Sequence, residues 1–179
     1  MEALHHGRKD FRTPGNRRGE GIFETGYPSP LGPLRILGLA SAIVEVKFCK
    51  IEIASIDDSV PEMLLACRSQ LDEYFRGKRR IFDLQLEPRG TDFQKRVWHA
   101  LLRIPYGETR SYKDIAIDVG NSQAVRAVGM ANGRNPISII IPCHRVIGIH
   151  GDLVGYGGGL WRKQWLLDHE IERAPRRIT

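Results

Sequence analysis

The chain has 179 residues, 27 Lys and Arg against 21 Asp and Glu, a formal charge of +6 and a pI of about 9.5. At 41% hydrophobic and 27% charged it reads as an ordinary globular protein. No apolar run approaches the roughly 18 residues of a membrane span, and residues 1–20 lack the apolar core of a secretory signal, so a cytoplasmic location with no membrane partner is expected.

Residues 1–20 are polar, rich in Arg and Gly, and read as an unpacked tail ahead of an N-terminal domain over 21–88. In that domain, 34–39 and 43–48 read as two strands joined by a short turn. Val44, Val46 and Phe48 alternate with Glu45 and Lys47, the two-residue period of a half-buried strand, and 50–53 extend the pairing. Ser59 and Glu62 have capping-box spacing ahead of an amphipathic helix over 63–75, which Gly77 ends. The segment KRRIFDLQLEP, 78–88, reads as a last strand or an extended linker, and Pro88 and Gly90 mark a domain boundary at 87–90.

The second domain, 89–179, reads as mostly helical. Thr91 and Gln94 repeat the capping-box spacing; Phe93, Val97, Trp98, Leu101 and Leu102 recur at helical intervals until Pro105. Tyr106, Gly107 and Glu108 form a turn. Ser111 and Asp114 cap a short helix over 111–119 closed by Gly120, and Asn121 or Ser122 opens another that stops at Gly133. Two short helices around a Gly-containing turn have helix-turn-helix spacing, which many helical hairpins share. The second, AVRAVGMANGR, is built of small residues, and Gly129 costs it about 1 kcal/mol relative to Ala. Tight packing on a neighbouring helix and close approach to a nucleic-acid groove both suit it.

Charge is uneven along the chain. Residues 1–88 hold 13 basic and 13 acidic side chains, and 89–179 hold the other 14 and 8. A basic half-chain points to a polyanion partner or to a solvated basic surface. Three widely spaced cysteines without a CxxC pair suggest neither a disulfide framework nor a zinc site.

Residues 137–141 form a continuous apolar, β-branched run, read as a buried strand or extended segment that Pro142 ends. Cys143, His144 and Arg145 follow. A lone cysteine is usually inert core, which suits Cys49 and Cys67. Cys143 differs because cationic and imidazole neighbours lower a thiol's pKa, and the thiolate is the nucleophile. Neighbours in an extended chain face opposite ways, so His144 would reach Cys143 through a bridging water. A base also needs an orienting carboxylate. The helix after Gly157, Gly158 and Gly159 ends in Asp168, His169 and Glu170, and the residues alone do not say which faces the thiol. Two rivals stay open: a non-catalytic helix-turn-helix DNA binder, and a cysteine hydrolase, against which the adjacency of Cys143 and His144 argues.

IPCHRVIG (141–148), preceded by RAVGMANGRNP (126–136) and followed by GYGGGLWRKQWLLDHE (155–170), closely resembles the O6-alkylguanine-DNA alkyltransferases, suicide repair proteins also called methylated-DNA–protein-cysteine methyltransferases. The likeness covers 91–170 closely and the first half in outline. It implies an α/β (α+β) fold: a ribonuclease-H-like α/β domain, then a mostly helical, winged helix-turn-helix-like domain that docks in the DNA minor groove. It implies Cys143 as the alkyl acceptor, His144 as the water-linked base, Glu170 as its orienting carboxylate and Asn135 as the amide bracing the loops around the thiol. Tyr112 matches the tyrosine that assists nucleotide rotation and donates a proton toward guanine. Arg126 matches the finger that fills the emptied stack, with Ala127 and Gly129 on the same DNA-binding helix; Met130, Val146, Tyr156 and Gly157 match pocket walls and lid.

The implied activity is one irreversible, stoichiometric alkyl transfer from O6-alkylguanine, with O4-alkylthymine a second candidate, and with no cofactor and no metal. The implied partner is double-stranded DNA containing alkylated guanine, met by a monomer, with clustering on DNA left open. An extruded base must reach the sulfur, so an accessible thiol is expected. Some relatives have serine at the Gly157 position and proline at the Ser138 position; both border the pocket and bear on bulky adducts. Some carry a structural zinc, for which His5, His6, Cys49 and Cys67 lack ligand spacing.

Overall fold

The structure, a computed structural model, describes residues 21–50 and 59–174. The tail at 1–20 and residues 51–53 of the expected strand extension lie outside these. Strands β1 (Phe23–Ser29), β2 (Gly32–Gly38) and β3 (Ile43–Phe48) form an antiparallel sheet in that order. β1 was not among the expected strands; Gly26 and Pro28 stand within it. It pairs along its whole length, from Phe23 opposite Gly38 to Ser29 opposite Gly32, and its edge position tolerates the proline.

Helix α1 (Glu62–Phe75) buries Leu64, Cys67, Leu71, Tyr74 and Phe75. The expected Ser59 cap is not used. Pro61, at φ −52° and ψ 147°, occupies the N-cap with no side-chain hydrogen bond, so Glu62 becomes the first helical residue rather than the third. Residues 78–88 are the extended linker alternative, touching the sheet at one point: Ile43 N donates to Gln85 O and Glu87 N to Ile43 O, each at 2.8 Å. Further along the same edge of β3, Val46 N donates to Pro136 O (2.9 Å) and Ser138 N to Val46 O (2.8 Å). The sheet edge therefore holds both the linker and the segment that leads to Cys143.

α2 (Asp92–Leu102) and α3 (Tyr112–Asp118) start at the expected Thr91 and Ser111 boxes, both halves of each being formed. α2 runs through the core on Trp98, 1% exposed, whose Nε1 donates to Ala131 O at 2.9 Å. Gly90 lies so close to that indole that a Cβ there would stand 2.5 Å away. α4 (Val125–Gly133) begins later than expected, because Asn121 instead closes a turn by accepting from Gln123 N (3.1 Å). Two-residue strands β4 (Arg110–Ser111) and β5 (Val146–Ile147) pair in parallel, tying the start of α3 to the chain just after Cys143. α5 (Leu160–Arg173) lays Lys163, Leu166, Leu167, His169 and Glu170 into the core. Among the described residues no helix is long and apolar enough to cross a membrane.

Candidate active site

The four isoleucines of the run 137–141 are buried, but the run is not a strand. After one bridge at Ile137 it turns tightly, with Ile141 N donating to Ile137 O (3.0 Å) and Ile139 at φ 72°. A β-branched residue in that region costs about 1–3 kcal/mol. The turn persists because Asn135 replaces the missing ladder. Its Nδ2 donates to Ile141 O (2.8 Å), with Ile137 O at 3.4 Å, and its Oδ1 accepts from Ile137 N (3.0 Å). The same Nδ2 lies 3.0 Å from Cys143 Sγ. One side-chain amide thus shapes the loop and fixes the sulfur.

Cys143–Arg145 form a single 3-10 turn, not the extended chain expected, and His144 and Arg145 both reach Glu170 on α5. His144 Nε2 is 2.9 Å from Glu170 Oε1. An ionised carboxylate only accepts, so Nε2 carries the proton and Nδ1 is the basic nitrogen. Nδ1 is buried with no hydrogen-bond partner among the described residues. Arg145 Nε donates to Glu170 Oε2 (2.8 Å), its Nη2 to Oε1 (3.0 Å) and its Nη1 to Ile104 O (2.6 Å). Burial opposes ionisation of Glu170, but His144 and Arg145 outweigh it and hold the carboxyl far below the usual carboxylate range. Burial pushes the His144 imidazole down against the pull of Glu170, so it rests neutral.

The thiol environment departs from expectation. Arg145 is committed to Glu170, and the cation acting on Cys143 is Lys163. Burial, the largest effect, raises the Cys143 thiol, while the Asn135 amide and the Lys163 charge oppose it. Lys163 is itself fully buried; its Nζ donates to Val146 O (2.6 Å) and Val154 O (2.8 Å), and burial brings its pKa down to about 8. Nor is the sulfur open: Cys143 is 4% exposed. Tyr112 Oη donates to Val154 O at 2.9 Å, holding the loop before α5, and that loop packs at Gly157 against Gly133 O. Tyr156 encloses its hydroxyl there without a hydrogen-bond partner among the described residues.

Val146 is fully buried beside the site. On α4, Arg126 and Ala127 are exposed, and Gly129 backs onto the Tyr112 ring, 3.9 Å from where a Cβ would stand. Met130, expected as a pocket wall, is 60% exposed on α4. Asn132, two residues on and buried, takes the inner place and donates to Cys143 O (3.3 Å). Sequence reasoning also missed Lys163 and Tyr74. Lys163 left a signal, since it shares the apolar stripe of α5 with Leu166, Leu167 and Glu170. Asp168 is exposed and bonded to Gln164, and His169 faces Tyr74. No cluster of three His, Cys, Asp or Glu that could hold a metal ion occurs among the described residues.

A thiol held by an amide, with a neutral imidazole backed by a carboxylate, sits in the same domain as a helix-turn-helix that leaves an arginine exposed on its second helix. That pairing defines a class: a nucleophilic cysteine built into a nucleic-acid-binding fold. Comparison with known proteins narrows it. Residues 22–88 match the ribonuclease-like domain of 6-O-methylguanine DNA methyltransferase, and residues 92–172 match its DNA binding domain. The chain is 49% identical over 157 residues to the methylated-DNA–protein-cysteine methyltransferase of Mycobacterium tuberculosis, covering 84% of this chain and 93% of the relative. It is 51% identical over 146 residues to that of Methanosarcina barkeri, covering 79% and 92%. The crystal structure of Mycobacterium tuberculosis O6-methylguanine methyltransferase matches with a TM-score of 0.77 at 47% identity, over 89% of this chain and 98% of that one. The Mycobacterium tuberculosis OGT in complex with DNA matches with a TM-score of 0.76 at 49% identity, over 86% and 95%. The chain belongs to the 6-O-methylguanine DNA methyltransferase family.

Proposed function

We propose that this protein repairs DNA by direct reversal, moving the alkyl group of O6-alkylguanine onto Cys143 in one irreversible step per molecule. The observation that carries the reading is the Asn135–Cys143 contact beside the His144–Glu170 pair, within a chain of this family. Residues 21–88 and 89–179 serve as its two domains, the second docking α4 in the minor groove.

The alkylated base leaves the stack at a cost of a few kcal/mol, and Arg126 fills the gap. A purine enters only when the loop at 153–158 yields, because Cys143 is 4% exposed. Its arrival frees the Tyr112 hydroxyl from Val154 O and turns it toward the base. Val146, Tyr156 and Gly157 border the base in its pocket. His144 Nδ1 takes the thiol proton through a water, and Glu170 stabilises the imidazolium. The thiolate attacks the alkyl carbon: the S–C bond forms, the C–O6 bond breaks, and its electron pair stays on guanine. Guanine takes a proton from Tyr112, which recovers it from the imidazolium. The product thioether has no leaving group of comparable quality, so the protein is consumed. Rigid placement of sulfur and carbon supplies much of the rate. The partner is alkylated double-stranded DNA, met by a monomer, with O4-alkylthymine a secondary substrate.

The test is a titration of an oligonucleotide bearing O6-methylguanine. Repaired lesion rises linearly with protein and stops at one per molecule. Repeated turnover, or no loss of lesion, defeats the proposal. A hydrolase would show multiple turnovers on an ester or amide.

A further inference from the structure

We propose that Tyr74, a residue of the first domain, is a positioning residue of the alkyl-transfer centre: its hydroxyl holds the Glu170 carboxylate in place and limits the pull of that carboxylate on His144. The inference rests on the alkyl-transfer reading above.

Tyr74 lies at the end of α1 and is fully buried. Two consecutive residues of α5 grip it at opposite ends. His169 Nε2 lies 2.8 Å from Tyr74 O, and Tyr74 Oη donates to Glu170 Oε1 at 2.8 Å. Between these points its ring meets Phe75 (5.4 Å) and Tyr106 (6.1 Å) edge-on, and Phe82 (5.5 Å) and His169 (5.2 Å) at a tilt. A phenylalanine would make the same ring contacts. The hydroxyl is the part that needs another reason, and its partner supplies one. Oε1 is the oxygen that also faces His144 Nε2 (2.9 Å) and Arg145 Nη2 (3.0 Å).

Three donors share the negative charge of one oxygen. Each reduces what that oxygen offers the others, and each fixes the carboxylate's rotation. Around Glu170 stand His144 and Arg145 from the 3-10 turn, Gly107 N (3.1 Å to Oε2) and Tyr106 from the turn after α2, and His169 and Arg173 from α5 itself. Arg80, from the linker, donates to Arg173 O (2.6 Å). The Lys163 charge acts on both His144 and Cys143. Unlike Arg145, which is a cation, and His144, which gains a proton during the reaction, Tyr74 stays neutral throughout, so removing its hydroxyl changes the hydrogen bonding without changing the charge count. With that hydroxyl gone, Oε1 turns its charge toward His144, the imidazolium is favoured, and His144 stays protonated to higher pH. A protonated His144 cannot take the thiol proton. The acid limb of the rate profile therefore moves up.

The experiment measures the single-turnover rate of methyl transfer from an O6-methylguanine oligonucleotide against pH. It uses the full chain, Tyr74→Phe, and a chain with 3-fluorotyrosine at position 74, which donates more strongly. Tyr74→Phe should shift the acid limb up by about one unit and lower the plateau about tenfold, the effect of one hydrogen bond to a charged group. The fluorotyrosine chain should shift the limb down and keep the plateau. A folded Tyr74→Phe with the wild-type limb and plateau overturns the inference, as does a fluorotyrosine limb that moves up or stays put. If Tyr74→Phe does not fold, the fluorotyrosine chain decides alone. A wild-type chain that takes no methyl group defeats the alkyl-transfer reading and this inference with it; an active wild type whose variants coincide with it defeats the role of Tyr74 alone.

Discussion

Glu170→Gln is the substitution with the most to reveal about how the site is held. The Glu170 side chain is fully buried and accepts from five donors: Tyr74 Oη, His144 Nε2 and Arg145 Nη2 at Oε1, and Arg145 Nε and Gly107 N at Oε2. Glutamine has the same shape but one acceptor oxygen. Whichever way the amide turns, its NH2 confronts at least two of those donors. Arg145, its side chain 8% exposed, also loses its counter-ion. Breaking one side of a buried pair costs about 3–5 kcal/mol, a large share of a total stability of about 5–15 kcal/mol. For a chain of this size the melting temperature should fall by roughly 6–20 °C. Thermal and urea unfolding followed by circular dichroism measure it, and a loss under about 1 kcal/mol would refute the reasoning. The pH dependence adds a check on sign. The folded carboxyl titrates far below its unfolded value of about 4.3, so its contribution is complete above that pH and is lost as pH falls below it. Stability of Glu170→Gln should therefore vary less than wild type in acid.

His144 acts in the same direction at higher pH. Burial lowers its folded pKa, so wild-type stability should start to fall as pH drops below about 6.5, and His144→Gln should flatten that part of the curve; an unchanged curve would mean that His144 is not held neutral. Asn135→Ala leaves Ile137 N unpaired and takes from Ile141 O one of its two donors, Cys143 N remaining, and should cost about 1–3 kcal/mol while slowing transfer; a wild-type single-turnover rate would contradict the bracing role. Arg126→Ala, on an exposed face, should change stability by less than about 0.5 kcal/mol. It should slow repair of duplex DNA while leaving reaction with the free O6-methylguanine base unchanged, and equal slowing of both would remove the finger role. Duplex binding by the basic half should weaken with salt, with a slope in log–log terms of about −0.9 per phosphate neutralised; a flat response would argue against phosphate contacts.

The elements legible in the sequence are those that local chemistry decides. Thr91 with Gln94 and Ser111 with Asp114 cap their own helices three residues away, and both boxes form. The same spelling at Ser59 and Glu62 failed because Pro61, between them, fixes its own backbone and takes the cap. Strand β1, with Gly26 and Pro28 within it, was not among the expected strands, and only its partner β2 makes it a strand. The run 137–141 carried the right burial and the wrong shape, since hydrophobicity cannot report that Asn135 takes over its hydrogen bonds. Side chains that meet over long separations were the least legible. Tyr74 and Glu170 are 96 residues apart, and nothing near Tyr74 announces the contact. Lys163 and Glu170 could have been noticed, as two charges on the buried stripe of an amphipathic helix.

The most direct measurement is peptide mass mapping after one equivalent of a methylated duplex has reacted. A single methyl group on the fragment carrying Cys143, and on none carrying Cys49 or Cys67, is the result this account requires. Complete repair of the lesion with an unmodified Cys143 fragment would contradict it.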